Sequence, residues 1–357
     1  MSGDTDWADA TVAAAKTNVV ANRARRVSRV QEALSWLRNG RGYASIRVLI
    51  VGTNLEGVAL EFNVVTGGAR QRGPPAREYT VAGPAGPLCV VELGEGPPVV
   101  VLHGGPGAQH DYLLPAFSQL ADEYRLYFYD QRGGGRSPVQ RPLEITWRDH
   151  VADLELLRST WELERLAVIG YSWGGLLALL YATEHRQRVE MLILLAPAAG
   201  WGDYQRRFRE ELERRSRSEA VARLRAELEA SGLRERDAAA YRQRLFDLSV
   251  AGYYCDPRVA LDSAPFVVQS QVQQATWLSL AGHGPELRRK LRSLQVPTLI
   301  LQGRHDPMPL EWTQELAQLL PTARLVALED SGHVPYVEEA ERTFVEIRRF
   351  LSERLTG

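Results

Sequence analysis

The chain is short of cysteine and shorter still of lysine. Only Cys89 and Cys255 occur among its 357 residues, and their spacing suggests neither a metal clip nor a redox pair. Two isolated cysteines argue against a disulfide framework and suit a reducing compartment. Lys16 and Lys290 are the only lysines, so arginine carries nearly all the positive charge, a pattern that reads as coding bias and not as a phosphate-binding device. An excess of either charge is missing too. Lys and Arg number 43 against 44 Asp and Glu, a formal charge of −1, so no global field favours nucleic acid or an anionic membrane. No stretch approaches the roughly 20 apolar residues that span a bilayer. Asp4, Asp6 and Asp9 precede any apolar run, the wrong pattern for a signal or transit peptide. With no metal-ligand cluster and no dinucleotide fingerprint, neither metal nor cofactor is called for. The expectation is a cytoplasmic protein without nucleic-acid or membrane partners, its oligomeric state left open.

What is present reads as globular. Hydrophobic residues make up 45% and charged residues 24%, enough for one large domain or two smaller ones. Residues 1–76 differ from the rest. Thr11 to Arg38 has the spacing of a helix, with Val20, Val27, Val30, Leu34 and Leu37 on one side and Gly40 as a stop. An apolar run, Ile46–Val51, follows, and the Gly/Pro/Arg stretch Gly67–Arg77 reads as a linker. From Glu78 the texture changes to short apolar runs alternating with helix patterns. A hairpin is expected at Tyr79–Val81 and Leu88–Leu93. Further strands are expected at Val99–Leu102, Leu126–Tyr129, Leu166–Ile169, Met191–Leu195, Thr298–Leu301 and Arg324–Leu328, with helices such as Thr146–Thr160, Leu176–Thr183 and Glu311–Leu319. Continuous apolar strands of this kind are buried on both faces, so the fold class is α/β, a mostly parallel doubly wound sheet.

Residues 201–294 interrupt the alternation. They hold charged helical stretches, Tyr204–Glu229 and Arg234–Leu248 among them, and no convincing strand. Placed after the sixth strand, they are expected to form a helical cap over the carboxyl ends of the strands. Residues 77–200 and 295–357 would then make the core. The dense Arg/Glu pairs are most simply a solvated helix face.

The chemistry centres on Leu166-Ala-Val-Ile-Gly-Tyr-Ser172-Trp-Gly-Gly175. An apolar strand runs into Gly170-x-Ser172-x-Gly174 and an apolar helix follows at once. That context places a serine on a sharp strand-to-helix turn with its hydroxyl at a helix N-terminus. A serine hydroxyl is a weak nucleophile and needs a histidine base held by a carboxylate, in the chain order serine, acid, histidine. Of seven histidines only His333, in Asp330-Ser-Gly-His, lies in a turn directly after the last strand. Asp306, in Gln302-Gly-Arg-His-Asp-Pro, follows the penultimate strand and is the expected acid, with His305 a bystander. Charge on a tetrahedral intermediate needs two backbone N–H donors. Trp173 supplies one. Gly105, in His103-Gly-Gly-Pro-Gly107 after Val99–Leu102, supplies the other, with Gly104 beside it facing substrate and His103 in a structural role.

His103-Gly-Gly-Pro-Gly107 with His110-Asp-Tyr-Leu, and Asp130-Gln-Arg-Gly-Gly-Gly-Arg-Ser137, resemble the motifs of the proline iminopeptidase and tricorn-interacting aminopeptidase group of α/β-hydrolases. The resemblance runs from about Glu78 to Gly357, apart from much of the cap. It implies the α/β-hydrolase fold, the same triad and oxyanion donors, and removal of an N-terminal residue, often proline, from short peptides. Members of the group hold the substrate amine with glutamates on or near the cap. Here Val267–Leu280 has no acid, and Asp247, Asp256, Asp262 or a glutamate remain candidates for that task. A carboxylesterase or amidase acting on small uncharged substrates is the alternative, and a hydrolase-fold binding protein with little turnover is a third. Ser172 argues against epoxide hydrolase and dehalogenase chemistry, which place an aspartate at that turn. Because the recognisable domain begins near Glu78, deletion of residues 1–70 is expected to leave a soluble, active protein. An insoluble or inactive truncation would show that the extension belongs to the working unit.

Overall fold

The computed structural model describes residues 76–262, 264 and 266–355. The Thr11–Arg38 helix, the Ile46–Val51 run and most of the expected linker lie outside them. The linker ends sooner than expected, because Ala76 and Arg77 already belong to the first strand.

One sheet organises everything described. Its strands are β1 (Ala76–Gly83), β2 (Gly86–Leu93), β3 (Pro98–Leu102), β4 (Arg125–Tyr129), β5 (Leu166–Tyr171), β6 (Val189–Leu195), β7 (Thr298–Gly303) and β8 (Ala323–Leu328), in the spatial order 1-2-4-3-5-6-7-8. Strands β1 and β2 form a hairpin closing at Gly83 and Gly86, and β2 also pairs antiparallel with β4. From β4 to β8 every pairing is parallel. Each strand expected from its apolar run is present, within a few residues at the ends.

The apolar runs lack alternation because both faces are covered. Val100, Leu102, Leu192 and Leu194 enter one core, while Val99, Val101, Met191 and Ile193 enter the other. The first is closed by α2 (Trp147–Thr160), α3 (Trp173–Glu184), α9 (Gly284–Leu291) and α10 (Leu310–Leu319), through side chains such as Leu154, Leu180, Leu287 and Trp312. The second is closed by the short α1 (Leu114–Phe117) and the C-terminal α12 (Ala340–Leu355), through Phe117, Phe344, Ile347 and Leu351. Helix α2 starts at a capping box: Asp149 accepts from the Thr146 N–H at 2.8 Å and from its hydroxyl at 2.7 Å.

Between β6 and β7 lie α4 (Tyr204–Ser216), α5 (Glu219–Ala230), α6 (Leu233–Arg236), α7 (Ala238–Ser249), α8 (Ser270–Ser279) and α9. The two long stretches expected there are each broken, and local capping explains the breaks. Ser218 accepts the Val221 N–H and starts α5 afresh, and Asp237 accepts from Ala239 and Ala240, both at 3.0 Å. Exposed pairs such as Arg206–Glu210 at 2.8 Å and Arg223–Glu219 at 2.7 Å line the outer faces. Such pairs are screened by solvent and add little to stability. The inner side is anchored by Glu315 of α10, which accepts from Trp201 at 3.1 Å and Tyr204 at 3.0 Å and pairs with Arg288. Among the described residues no helix is long and apolar enough to cross a membrane.

Leu179, in the middle of α3, is fully buried. Leu179→Ala is expected to cost about 2–5 kcal/mol, the range for a buried leucine whose cavity cannot collapse. Urea unfolding checks this, and a loss below about 1 kcal/mol would mean the α3 layer repacks.

Candidate active site

Ser172 stands between β5 and α3 with φ 52° and ψ −115°. A non-glycine residue in that region is strained by about 1–3 kcal/mol and persists only where its surroundings enforce it. They do. The Ser172 N–H donates to the Leu195 carbonyl of β6 at 2.9 Å, and its carbonyl accepts from Gly175 at 3.0 Å and Ala198 at 2.9 Å. The flanking glycines are required by close approach. A Cβ at Gly174 would lie 2.3 Å from the Leu102 carbonyl oxygen, and one at Gly170 would lie 2.4 Å from that of Gly174. The serine therefore sits where β3 and β5 converge.

The His333 ring lies beside it. Nε2 is 3.0 Å from Ser172 Oγ, and Nδ1 is 2.9 and 3.0 Å from the two carboxylate oxygens of Asp306. A carboxylate only accepts, so Nδ1 carries the proton in these bonds and Nε2 is left to accept from the hydroxyl. Asp306 is buried after β7, and its Oδ1 also accepts the Met308 N–H at 2.7 Å. His333 follows β8, and its own N–H donates to the Tyr253 carbonyl at 2.7 Å. The rings of Tyr171, Phe208 and Tyr253 lie 5.2–5.4 Å from its own, so the imidazole is screened by aromatic walls. His305 makes only a backbone bond in this network, from its N–H to the Ser331 carbonyl.

The loop after β3 passes the same point. A Cβ on Gly104 would come within 3.0 Å of Ser172 Cβ, so only glycine lets the loop run there. The Gly104 N–H donates to the Tyr112 hydroxyl at 2.7 Å. The amides of Gly105 and Trp173 have no hydrogen-bond partner among the described residues. His103 is fully buried: its Nε2 accepts the Gln131 N–H at 3.1 Å, and its Nδ1 lies 2.9 Å from the Gly104 carbonyl. Gln131 then spans the two sides, donating to the His103 carbonyl at 2.9 Å and accepting from Trp173 Nε1 at 2.7 Å.

Asp130 explains the rest of the second motif. It is buried and accepts from the His110 N–H at 3.0 Å, His110 Nδ1 at 2.6 Å and the Arg136 N–H at 2.8 Å. Burial alone would raise its pKa, but His110 and Arg136 prevail and hold it well below the usual carboxylate range. Arg132 donates to both oxygens of Asp153 on α2, at 2.6 and 2.5 Å, and Ser137 Oγ accepts the Cys89 N–H of β2 at 2.9 Å. The motif is a brace joining β2, the β3 loop and α2.

Residues 97–340 match the alpha/beta hydrolase fold family. The chain belongs to that family. It is similar over most of its length to proline iminopeptidases, as its two loop motifs imply. That of Lactobacillus helveticus is 26% identical over 283 residues, covering 74% of this chain and 92% of the relative. That of Heyndrickxia coagulans is 28% identical over 301 residues, covering 73% and 92%. Among solved structures, a thermophilic esterase from Thermogutta terrifontis superposes with TM-score 0.55 at 25% identity, over 78% of this chain and 99% of that one. A lipase-like protein from Acinetobacter baumannii gives 0.59 at 19% identity, over 80% and 93%, which speaks for the fold alone.

In this hydrolase two of the three aspartates considered for a substrate amine have side-chain partners of their own. Asp256 is half-exposed and paired with Arg258 at 2.6 Å. Asp247 is buried on α7 and accepts from Gln243 Nε2 at 2.7 Å. The side chain of Asp262 lies outside the described residues. Four contacts near Ser172 and His333 escaped sequence reasoning: Tyr112, Phe208, Tyr253 and Glu338. Only Tyr112 stood in a motif, so only it offered a signal.

Two buried histidines make the fold sensitive to acid. Burial holds His103 at about 4, and burial with the nearby Arg132 charge holds His150 of α2 at about 3. In an unfolded chain a histidine titrates near 6.5. Below that pH the unfolded chain takes up protons that the fold refuses, so this stability is complete above about pH 6.5 and is lost as pH falls. At roughly pH 4.5 each ring is expected to cost about 2–3 kcal/mol. Denaturant unfolding at neutral and acid pH, with His150→Asn beside the wild type, should show a shallower loss in the variant. An identical loss would remove His150 as a source.

Proposed function

We propose that this chain is a serine hydrolase that works through an acyl-enzyme, with Ser172 as nucleophile, His333 as base and Asp306 as the group that orients the histidine. The observation that carries the reading is the His333 ring, which bridges Ser172 Oγ at 3.0 Å and Asp306 at 2.9 Å. Ser172 Oγ attacks the substrate carbonyl carbon while its proton passes to His333 Nε2. The developing oxyanion is held by the N–H groups of Gly105 and Trp173. His333 returns the proton to the leaving nitrogen or oxygen, which departs and leaves an ester on Ser172. Water then repeats the sequence and frees the acid.

Within this class we take the substrate to be a short peptide that loses its N-terminal residue. Support comes from the paired loop motifs and from proline iminopeptidase relatives matched over 92% of their length. Residues 201–294 would act as a cap, consistent with Phe208 and Tyr253 standing against the His333 ring. A second reading, an esterase or amidase for small uncharged substrates, is favoured by a specific observation. A desolvated ammonium needs a carboxylate, yet Asp256 is taken up by Arg258 and Asp247 is bound by Gln243. The Tyr112, Phe246 and Phe266 rings, in a chain with centroids 5.4–5.5 Å apart, add an apolar wall.

Ser172→Ala is expected to lower kcat by roughly 10⁴–10⁶. Retention of more than about a tenth of the activity would refute the nucleophile. On aminoacyl-arylamides, N-acetylation should cut kcat/KM by roughly 10²-fold, about 3 kcal/mol. If acetylated compounds or plain acyl esters react as fast, the esterase reading replaces the aminopeptidase one with the triad unchanged.

A further inference from the structure

We propose that Glu338 is a positioning residue for the catalytic histidine: its carboxylate clamps the His333 loop onto the turn Tyr253–Asp256 of the helical segment. The inference rests on the triad reading above. Glu338 ends the short helix α11 (Pro335–Glu338), five residues beyond His333. Its Oε2 accepts the Gly332 N–H at 2.7 Å. Its Oε1 accepts the Cys255 N–H at 2.7 Å and the Asp256 N–H at 3.2 Å. The His333 N–H itself donates to the Tyr253 carbonyl. Consecutive residues of the histidine loop are thus tied to one turn, by a direct bond and through one side chain. The neighbouring Glu339 accepts the Asp330 N–H at 2.8 Å and holds the loop's other end.

The two strands of chain meet without slack. A Cβ on Gly332 would lie 2.4 Å from the Tyr253 carbonyl oxygen and 2.8 Å from the Cys255 nitrogen. Among the described residues no arginine or lysine pairs with Glu338, although it is half-buried, so backbone N–H groups alone answer its charge. Burial accordingly pushes its pKa up, against the pull of those three donors. A carboxylate suits the place because it accepts at both oxygens. A glutamine keeps one acceptor and turns the other into an NH₂ that faces an N–H and cannot accept. Either Gly332 or the Cys255–Asp256 pair then loses its partner. The base that the loop carries must stay within hydrogen-bond reach of Ser172, and a misplacement of about 1 Å can cost about 10²-fold in rate.

The test compares wild type, Ser172→Ala, Glu338→Gln and Glu338→Asp, with rates referred to folded protein from circular dichroism melts. Both Glu338 variants are expected to lower kcat by about 10- to 100-fold, with KM changing less than about threefold. The rate at which a fluorophosphonate probe labels Ser172 should fall in step. The downfield proton resonance of His333 Nδ1, expected in the wild type, should broaden or vanish. Folded Glu338→Gln with wild-type kcat and labelling rate overturns the clamp. A lower kcat with labelling rate and proton signal unchanged also overturns it, since Glu338 would then serve stability or substrate binding only. If Glu338→Gln does not fold, Glu338→Asp is judged by the same criteria. In the wild type the Gly332 amide should exchange slowly with solvent, and free exchange would overturn the clamp without any variant. Activity in Ser172→Ala would remove the triad and the clamp together, whereas a dead Ser172→Ala beside a fully active Glu338→Gln removes the clamp alone.

Discussion

The turn at Ser172 is the constraint on which the rest depends. Its backbone occupies a region that a side chain resists, and only a rigid frame holds it there. The frame is the parallel centre of the sheet: β3 and β5 converge below, β6 accepts the serine amide, and α3 leaves at once. Glycine is required wherever another strand of chain must pass close, at Gly104, Gly170 and Gly174. A β5 buried along its whole length and an α3 buried from Trp173 to Ala182 follow, because a frame that stores strain cannot itself be loosely packed.

Around that turn the two loop motifs work as one brace. His103 and Gln131 lock to each other, and Gln131 reaches on to the Trp173 indole, so the loops that carry the Gly105 and Trp173 amides are joined through side chains. Asp130 anchors the second loop from behind through His110 and Arg136. The motifs' side chains are therefore chiefly structural, and the chemistry proposed for them falls to a few backbone N–H groups.

Legibility in the sequence followed the range of the interaction. Strands buried on both faces appear as unbroken apolar runs, and the serine turn appears as a local pattern between a strand and a helix. The proposed acid and base could be picked out because each follows a strand directly. Helix breaks at Ser218 and Asp237 were missed, although both residues are good N-caps, because the charged periodicity ran through them. Helix α12 was missed too, although Phe344, Ile347 and Leu351 have its spacing. Glu338 could not be found at all: its partners Cys255 and Asp256 lie 83 and 82 residues away, and no local pattern announces such a meeting. An amine site is hard to read for a related reason. A lone aspartate carries no mark of whether it will face a ligand or, like Asp256, an arginine two residues on.

The order of the site along the chain bears on how the protein comes into being. Ser172 lies 161 residues from His333, and the histidine hangs from the end of β8, an edge strand and the last of the sheet to be made. Loop-closure entropy must be met over that whole span before the histidine bond can form. During synthesis the serine turn can be in place long before His333 exists, so under the proposed mechanism no fragment ending before β8 can be a working hydrolase. Appearance of turnover on a ribosome-bound or refolding chain would mark completion of the sheet, not its nucleation.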